Sequence, residues 1–409
     1  DKWGGESIEN RTRLTIAVLD AVRKAVGPGF PIECRISGSE CYDGGYDIDN
    51  GIAIAHMIKD HCDIIHVSAG SHEVEEVFTV THPSMFKEPG CNVKFAEAIK
   101  KEVGDGAFVA TLGGLCEPAQ MEEIIASGKA DIVEAARSIL ADPDLPLKAR
   151  AGREDEINKC MRCLACFSNL VNTGHFRCSI NPETGREGER YALLPAKKKK
   201  VMVAGGGIAG MQAAITCAQR GHDVVLFEKT GALGGALRCE ENVPFKSRLK
   251  DYLDAQAKKV KDLGVDIRLN TAATPEEADK INPDVIISAL GAEHVKIPLP
   301  GIDGENVCSG EYAYVHPDEV KDTVVILGAG LVGMELAVYL GMMGKKIKIV
   351  EMLDHVSHGG NFQHMKGLQG ELDKYGVEIN LSTRACEITK DGVIGEKNGE
   401  KVLFEGETV

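Results

Sequence analysis

The pattern that most restricts the fold of this chain is a unit written twice. Val201-Met202-Val203-Ala204 runs into Gly205-x-Gly207-x-x-Gly210, with Ala209 just before the third glycine, then into a helix and the strand Val224-Val225-Leu226-Phe227, which ends on Glu228. The unit returns 123 residues later: Val324-Val325-Ile326-Leu327 runs into Gly328-x-Gly330-x-x-Gly333, and Lys348-Ile349-Val350 ends on Glu351. Met211, Ala214 and Gly221 recur as Met334, Ala337 and Gly344, and each acid stands 18 residues past its third glycine. A lone glycine triplet is weak evidence, but strand, loop, helix, strand and acid together are the fingerprint of a dinucleotide-binding βαβ fold. Its first glycine makes a tight turn, its second lets backbone approach a pyrophosphate, its third lets helix pack on strand, and its acid binds ribose hydroxyls. The spacing predicts two Rossmann-like dinucleotide-binding domains, over residues 197–300 and 301–409.

Upstream, Cys160-x-x-Cys163-x-x-Cys166 is followed after eleven residues by Cys178. The compact triplet can wrap one face of a cubane from a single loop, and the distant fourth cysteine closes it, so the spacing suits a [4Fe-4S] cluster. Zinc is the rival, although structural zinc sites more often show two separated C-x-x-C pairs. Residues 156–196 are read as the iron-sulfur segment and its linker, with Lys197 to Lys200 a solvated lead-in to the next strand.

In residues 1–155 a polar helix from about Ser7 is followed by four short apolar runs with helices between them: Pro31 to Ile36, Cys62 to Val67, Ala107 to Leu112 and Ala130 to Ala135. Strands alternating with helices imply parallel βα units and an α/β chain. A net charge of −15 argues against a nucleic-acid groove. Without a run of about 18 apolar residues, and with the start DKWGGESIENRTR unlike a signal peptide, neither membrane nor export is expected. Thirteen cysteines, nine of them outside the knot, suit a reducing compartment, so a cytoplasmic location is expected.

Gly4-Gly5-Glu6-Ser7 with Glu9-Asn10-Arg11 resembles the "YGGS-x-ENR" signature of the Old Yellow Enzyme class of FMN-dependent (β/α)8 TIM barrels. There the signature follows the fourth strand, so the four runs would be strands five to eight, the C-terminal half of a barrel. The resemblance implies that Arg35 lies beside the flavin, and that Gly113, Gly114, Ala136 and Arg137 surround the FMN phosphate at the barrel's C-terminal face. The family often has Arg where this chain has Gly114. Ser71-His72-Glu73 is similar to the loop of dienoyl-CoA reductases that carries a catalytic histidine, which makes His72 the expected proton donor or carbonyl polariser. Arg137 to Pro143 resembles the family's closing "R-x-x-L-A-D-P".

Cys178 to Pro182 is similar to the "C-x-x-N-P" exit of the fused members: dienoyl-CoA reductase, clostridial 2-enoate reductase and trimethylamine dehydrogenase. Gly231 to Gly235 resembles the glycine-rich extension over the FAD pyrophosphate in two-dinucleotide flavoproteins, and Ala289-Leu290-Gly291 their "A-T-G" crossing. The resemblance thus gives FAD to the first copy, with Gly235, and the nicotinamide to the second. Glu351 suits a free 2′-hydroxyl, and Met352 to His355 contains no arginine for a 2′-phosphate, so NADH is expected.

The implied activity is an NADH-dependent ene-reductase acting on a small unsaturated molecule (enoate, dienoyl-CoA or steroid-like), with electrons passing from NADH to FAD, the cluster, FMN and substrate. An amine dehydrogenase of the trimethylamine dehydrogenase type and an electron-transfer diaphorase module are the alternatives. A homo-oligomer is left open. The resemblance further implies a natural protein longer at both ends, with the family's catalytic Tyr in an absent half-barrel. Four strands without partners would then show two open edges and an apolar inner surface.

Overall fold

The computed structural model describes residues 2–189, 197–295, 297–357 and 359–409; residues 190–196 of the expected linker lie outside them. It divides into two compact units, one of residues 1–154 with 162–164, the other of residues 155–161 with 165–409.

In the first unit the opening helix, Ile8–Val26, starts where Ser7 accepts a hydrogen bond from the Asn10 N–H. Strands β1 (Glu33–Ser37), β2 (Ile64–Ser68), β3 (Phe108–Thr111) and β4 (Ile132–Val133) follow at the four apolar runs. They pair in parallel in the order β1-β2-β3-β4, with helices Ile48–Ile58, Val93–Val103 and Pro118–Ala126 in the connections. This is the topology of half a (β/α)8 barrel, and among the described residues β1 and β4 are its edges. Alternation sends Ile65, Val67 and Val109 to the outer face, where they pack fully buried against Ala55, Ile58, Ala96 and Ile99 of the helices. Each large side chain so buried stabilises the unit by about 1.5–3 kcal/mol.

The inner face corrects the expectation of an apolar surface. Arg35, His66, Ala110 and Ile132 share one register row. Beside it the Glu33 and Glu134 carboxylates both reach the His66 Nδ1, at 2.7 and 3.0 Å. Apolar side chains are needed where the helices cover the sheet; the inner face holds charge, with Phe108 left 62% exposed.

In the second unit β5 (Lys200–Ala204), β6 (Asp223–Phe227), β7 (Asp266–Arg268) and β8 (Val285–Ser288) form a parallel sheet in the order β7-β6-β5-β8. The second copy repeats it: β9 (Thr323–Leu327), β10 (Lys346–Val350) and β11 (Glu378–Asn380) pair as β11-β10-β9, and Thr408 bridges to Val324 on the free side of β9. Equivalent residues do equivalent work. Met211 and Met334, like Ala214 and Ala337, are fully buried, and Gly221 and Gly344 end their helices at φ 84° and 85°. Within the second copy, β12 (Thr383–Thr389), β13 (Gly392–Lys397) and β14 (Glu400–Glu405) form an antiparallel meander that packs Ile388, Val393 and Phe404 against Val325 and Val350. Among the described residues no helix is long and apolar enough to cross a membrane.

Candidate functional sites: two glycine loops, a cysteine segment and the end of the half-barrel

In both fingerprint loops the three glycines are required for three different reasons. Gly205 and Gly328 sit at φ 108° and 101°, where an L side chain is strained. At Gly210 and Gly333 a Cβ would lie 1.8 and 2.4 Å from the carbonyl oxygens of Gly205 and Gly328, so close packing of helix on turn excludes it. Gly207 and Gly330 have ordinary backbone angles, and among the described residues a Cβ would meet only the Gly235 Cα at 3.8 Å in the first case and nothing within 4 Å in the second. Nothing among the described residues explains these two middle glycines, whereas a pyrophosphate pressed onto the backbone does.

The helices that follow support the same reading. Helices starting at Ile8, Ile48, Pro275 and Gly310 are capped by the side chains of Ser7, Asp47, Thr274 and Ser309. Ile208–Gln219 and Leu331–Met342, like the helices starting at Val93, Pro118, Arg248 and Phe362, begin without a side-chain cap, but only these two start on a fingerprint glycine, where first-turn N–H groups can meet an anion. Exposed Ala209 lies in the first of these turns.

Glu228 receives the Gly206 N–H at 2.9 Å and the Thr230 N–H at 2.8 Å; Glu351 receives those of Ala329 and Leu353, both at 2.8 Å. Each carboxylate thereby braces its own glycine loop and keeps acceptor capacity for ribose hydroxyls. A second segment crosses each loop: Gly234 donates to the Gly206 carbonyl and a Cβ on Gly235 would stand 2.9 Å from the Gly207 Cα, while at the second loop Ser357 donates to the Ala329 carbonyl at 3.0 Å.

The cysteine segment lacks regular structure until the helix Ala165–Thr173, in whose first turn Cys166 lies. Cys160 is buried, Cys163, Cys166 and Cys178 are half-buried, and no disulfide joins any of the thirteen cysteines. Arg162 and Leu164, on either side of Cys163, both take positive φ, 55° and 61°, although neither is glycine, and both are buried. Alternation of this kind turns successive N–H groups into a concavity for anionic sulfur or phosphate. Burial, then the neighbouring Cys178, pushes the Tyr252 phenol up to about 12.

At the C-terminal end of the barrel strands, residues 82 and 83 form the hub. The His72 ring meets the His82 ring edge-on at 4.9 Å, and Arg137 donates to the Pro83 carbonyl at 3.0 Å. Pro83 also stands 3.2 Å from where a Gly114 Cβ would be. Burial first, then the cations of His72, Arg137 and Arg35, drives the His82 imidazole down to about 3. Among the described residues no carboxylate pairs with Arg35 or Arg137. Gly113 and Gly114 close β3 at φ 137° and 68°, and Ala136 leads into the helix Arg137–Ala141. The predicted residues Arg35, His72, Gly114 and Arg137 are thus gathered around His82, which no motif had marked.

A second unmarked group lies behind the NAD-type loop. Lys246 bridges Glu240 at 2.7 Å and Glu335 at 2.6 Å, and Glu335 also contacts His364 Nε2 at 2.7 Å. Burial would raise the Glu335 carboxyl, but the hydrogen bond from His364 and the Lys246 charge hold it below its usual value. Burial would lower Lys246, but Glu335 and Glu240 outweigh it and raise the ammonium. Glu335 follows the third glycine by two positions, where the first copy has Gln212, and that asymmetry was the only signal in the sequence.

Half of a parallel barrel is followed in this chain by a four-cysteine segment and two tandem folds of the dinucleotide-binding type. Residues 1–156 match the NADH:flavin oxidoreductase / NADH oxidase family, and over residues 199–409 the chain belongs to the pyridine nucleotide-disulphide oxidoreductase family. It is 38% identical to an NADH oxidase of Thermoanaerobacter brockii, covering 96% of this chain and 61% of that protein. It is 32% identical to a cinnamate reductase of Clostridium sporogenes, covering all of this chain and 63% of that protein. A solved 2-naphthoyl-CoA reductase in complex with 2-naphthoyl-CoA superposes with a TM-score of 0.93 at 30% identity, over 100% of this chain and 62% of that one. The chain spans about three fifths of the length of these relatives.

Proposed function

We propose that this chain carries the nicotinamide, FAD and cluster sites, and half of the FMN site, of an NADH-dependent reductase of activated C=C bonds: NADH + H⁺ + C=C gives NAD⁺ + CH–CH. The observation that carries it is the second glycine loop, where bare Gly330, uncapped first-turn N–H groups and Glu351 fit a nicotinamide dinucleotide. Electrons leaving to a partner protein, as in the amine dehydrogenase alternative, need no such loop. Cinnamate reductase and 2-naphthoyl-CoA reductase, named for conjugated substrates, support the C=C chemistry.

Residues 1–155 supply Arg35 beside the flavin, the Gly113, Gly114, Ala136 and Arg137 phosphate end, and His72. Residues 156–196 supply Cys160, Cys163, Cys166 and Cys178; residues 197–300 hold FAD with Gly205, Gly207, Ala209, Gly210, Glu228 and Gly235; residues 301–409 hold NADH with Gly328, Gly330, Gly333 and Glu351. When bound, these groups supply two-electron exchange with the nicotinamide, one-electron passage and delivery to carbon. The protein's part is to orient them and manage one proton. His72, exposed at the strand ends, holds that proton on its imidazole for the substrate α-carbon or carbonyl oxygen, and the neutral His82 ring fixes its orientation.

The test is anaerobic NADH oxidation by the holoenzyme with cinnamate-type enoates, with a dye, and with a secondary amine in place of NADH. The proposal expects one saturated product per NADH. Dye reduction without enoate reduction would reduce the protein to a diaphorase, and flavin reduction by the amine alone would make it an amine dehydrogenase. Iron and acid-labile sulfide lost together in Cys163→Ser support the cluster; one zinc and no sulfide overturn it.

A further inference from the structure

On the inner face of the half-barrel, residues from three strands converge on one nitrogen. Glu33 opens β1, His66 stands midway along β2, and Glu134 continues the ladder just past β4, its N–H donating to the Thr111 carbonyl at 2.8 Å. The two carboxylates reach the same His66 Nδ1, at 2.7 and 3.0 Å, and the three atoms lie within 4.8 Å of one another. The His66 side chain is 7% exposed, and its Nε2 is buried with no hydrogen-bond partner among the described residues.

That second nitrogen decides where protons can sit. A hydrogen on Nε2 would be a buried donor without an acceptor, whereas a hydrogen on Nδ1 has two carboxylates to accept it, so the imidazole is neutral and donates from Nδ1. Burial, against the opposing hydrogen bond to Glu33, accordingly lowers the imidazole below its usual value. A divalent cation seated among the three would take the Nδ1 lone pair and drive the hydrogen onto Nε2, so the same observation disfavours a metal. One N–H does not neutralise two carboxylates, and two that face each other resist being ionised together. Burial first, then the Glu33 charge, raises the Glu134 carboxyl, while the Arg35 charge opposes both. Arg35 faces the cluster from the same register row as His66; in that row and beside it β3 presents Ala110 and Phe108 and β4 presents Ile132, none of which carries charge. Arg35 is also the residue assigned to the flavin. Negative charge arriving beside it offsets its field at the carboxyls, and by linkage their hold on a proton tightens.

We infer that Glu33 and Glu134, clamped on the neutral His66, take up a proton between them when the flavin beside Arg35 is reduced, and return it when the electrons leave. The proton enters from solvent as NADH supplies two electrons and goes back to solvent as they pass to the C=C bond, so the overall balance is unaltered. This rests on the FMN reading of the half-barrel given above. A purely structural cluster would keep one protonation in both redox states.

The test counts the protons taken up by the full-length holoenzyme on complete anaerobic reduction, weakly buffered near neutral pH with an indicator dye. FAD and the cluster are common to parent and variants, so their share cancels in the difference. The parent is expected to take up roughly one proton per FMN more than Glu134→Gln or Glu33→Gln, two near-isosteric changes of which either suffices. A protonated-carboxyl band should appear in the reduced-minus-oxidised infrared spectrum of the parent and be lost in the variants, with FMN content unchanged. Equal proton counts, a band that persists in both variants, FMN lost from both, or a stoichiometric divalent metal in the parent that both variants lose would each overturn the assignment. A parent holoenzyme without FMN would instead refute the reading on which it stands.

Discussion

Gly330→Ala and Gly333→Ala add the same methyl group three residues apart in one loop and should do opposite things. At Gly330 the backbone is at φ −81°, ψ 172°, and the new Cβ has no neighbour within 4 Å among the described residues. Alanine there narrows the unfolded ensemble, worth about 0.4–1 kcal/mol, and gives up glycine's advantage over alanine at a helix N-cap, a cost of about the same size. The nucleotide-free protein should therefore keep its stability within about 0.5 kcal/mol. Its affinity for NADH should not survive, because the methyl enters the space assigned to the pyrophosphate. Overpacking of about 1–3 kcal/mol corresponds to a loss of roughly 5- to 150-fold in Kd. Gly333→Ala instead places a Cβ 2.4 Å from the Gly328 carbonyl oxygen, so the loop must shift before any ligand arrives. That variant should lose about 1–3 kcal/mol in the nucleotide-free state. Urea unfolding without nucleotide, beside fluorescence titration with NADH, reads both quantities. If Gly330→Ala binds NADH like the parent, or is destabilised as much as Gly333→Ala, the nucleotide does not approach this loop as argued.

Three further outcomes are expected. Glu335→Ala strips Lys246 of one of its carboxylates and His364 of one partner; removing one member of a buried ion pair costs about 3–5 kcal/mol, and the remaining Glu240 bridge puts this case near the lower end. A loss below about 1 kcal/mol in urea unfolding would show the network behaving like surface pairs. Because the Glu335 pKa is depressed, its contribution should be full above the ordinary carboxyl value of 4.5 and disappear as pH falls below it through the folded value. Glu351→Ala should relax the preference for NADH over NADPH by about 1–3 kcal/mol while loosening the loop held at Ala329, and a parent enzyme faster with NADPH would contradict the role given to Glu351. His82, its pKa moved from 6.5 to about 3, leaves the folded state one proton short of the unfolded state between those values, so stability should fall with falling pH across that window. Histidine NMR showing His82 protonated at pH 5, or an unaltered acid limb in His82→Gln, would refute it.

Periodicity and spacing were sufficient for the parallel βα units and the two dinucleotide-type folds, while the half-barrel came from the resemblance of the Gly4 to Arg11 signature and the β12–β14 meander was not foreseen. A glycine fingerprint is local: turn, helix start, packing contact and acid all fall within one βαβ unit, so Gly205 to Glu228 and Gly328 to Glu351 could be assigned roles before any fold was known. The four βα units of the first 150 residues were equally legible, because a buried parallel strand writes itself as a short apolar run. What these local patterns do not contain is which distant side chains the fold brings face to face. His82 meets His72 and the field of Arg35 and Arg137 only through the parallel strand order; Glu33 and Glu134 converge on His66 from strands about a hundred residues apart; and Lys246 finds Glu335 across 89 positions. The polar inner face follows from the same cause. Hydrophobic pattern records where a helix covers the sheet, while buried charge is tolerated wherever tertiary contacts supply partners, and partners from separate elements leave no period in a sequence.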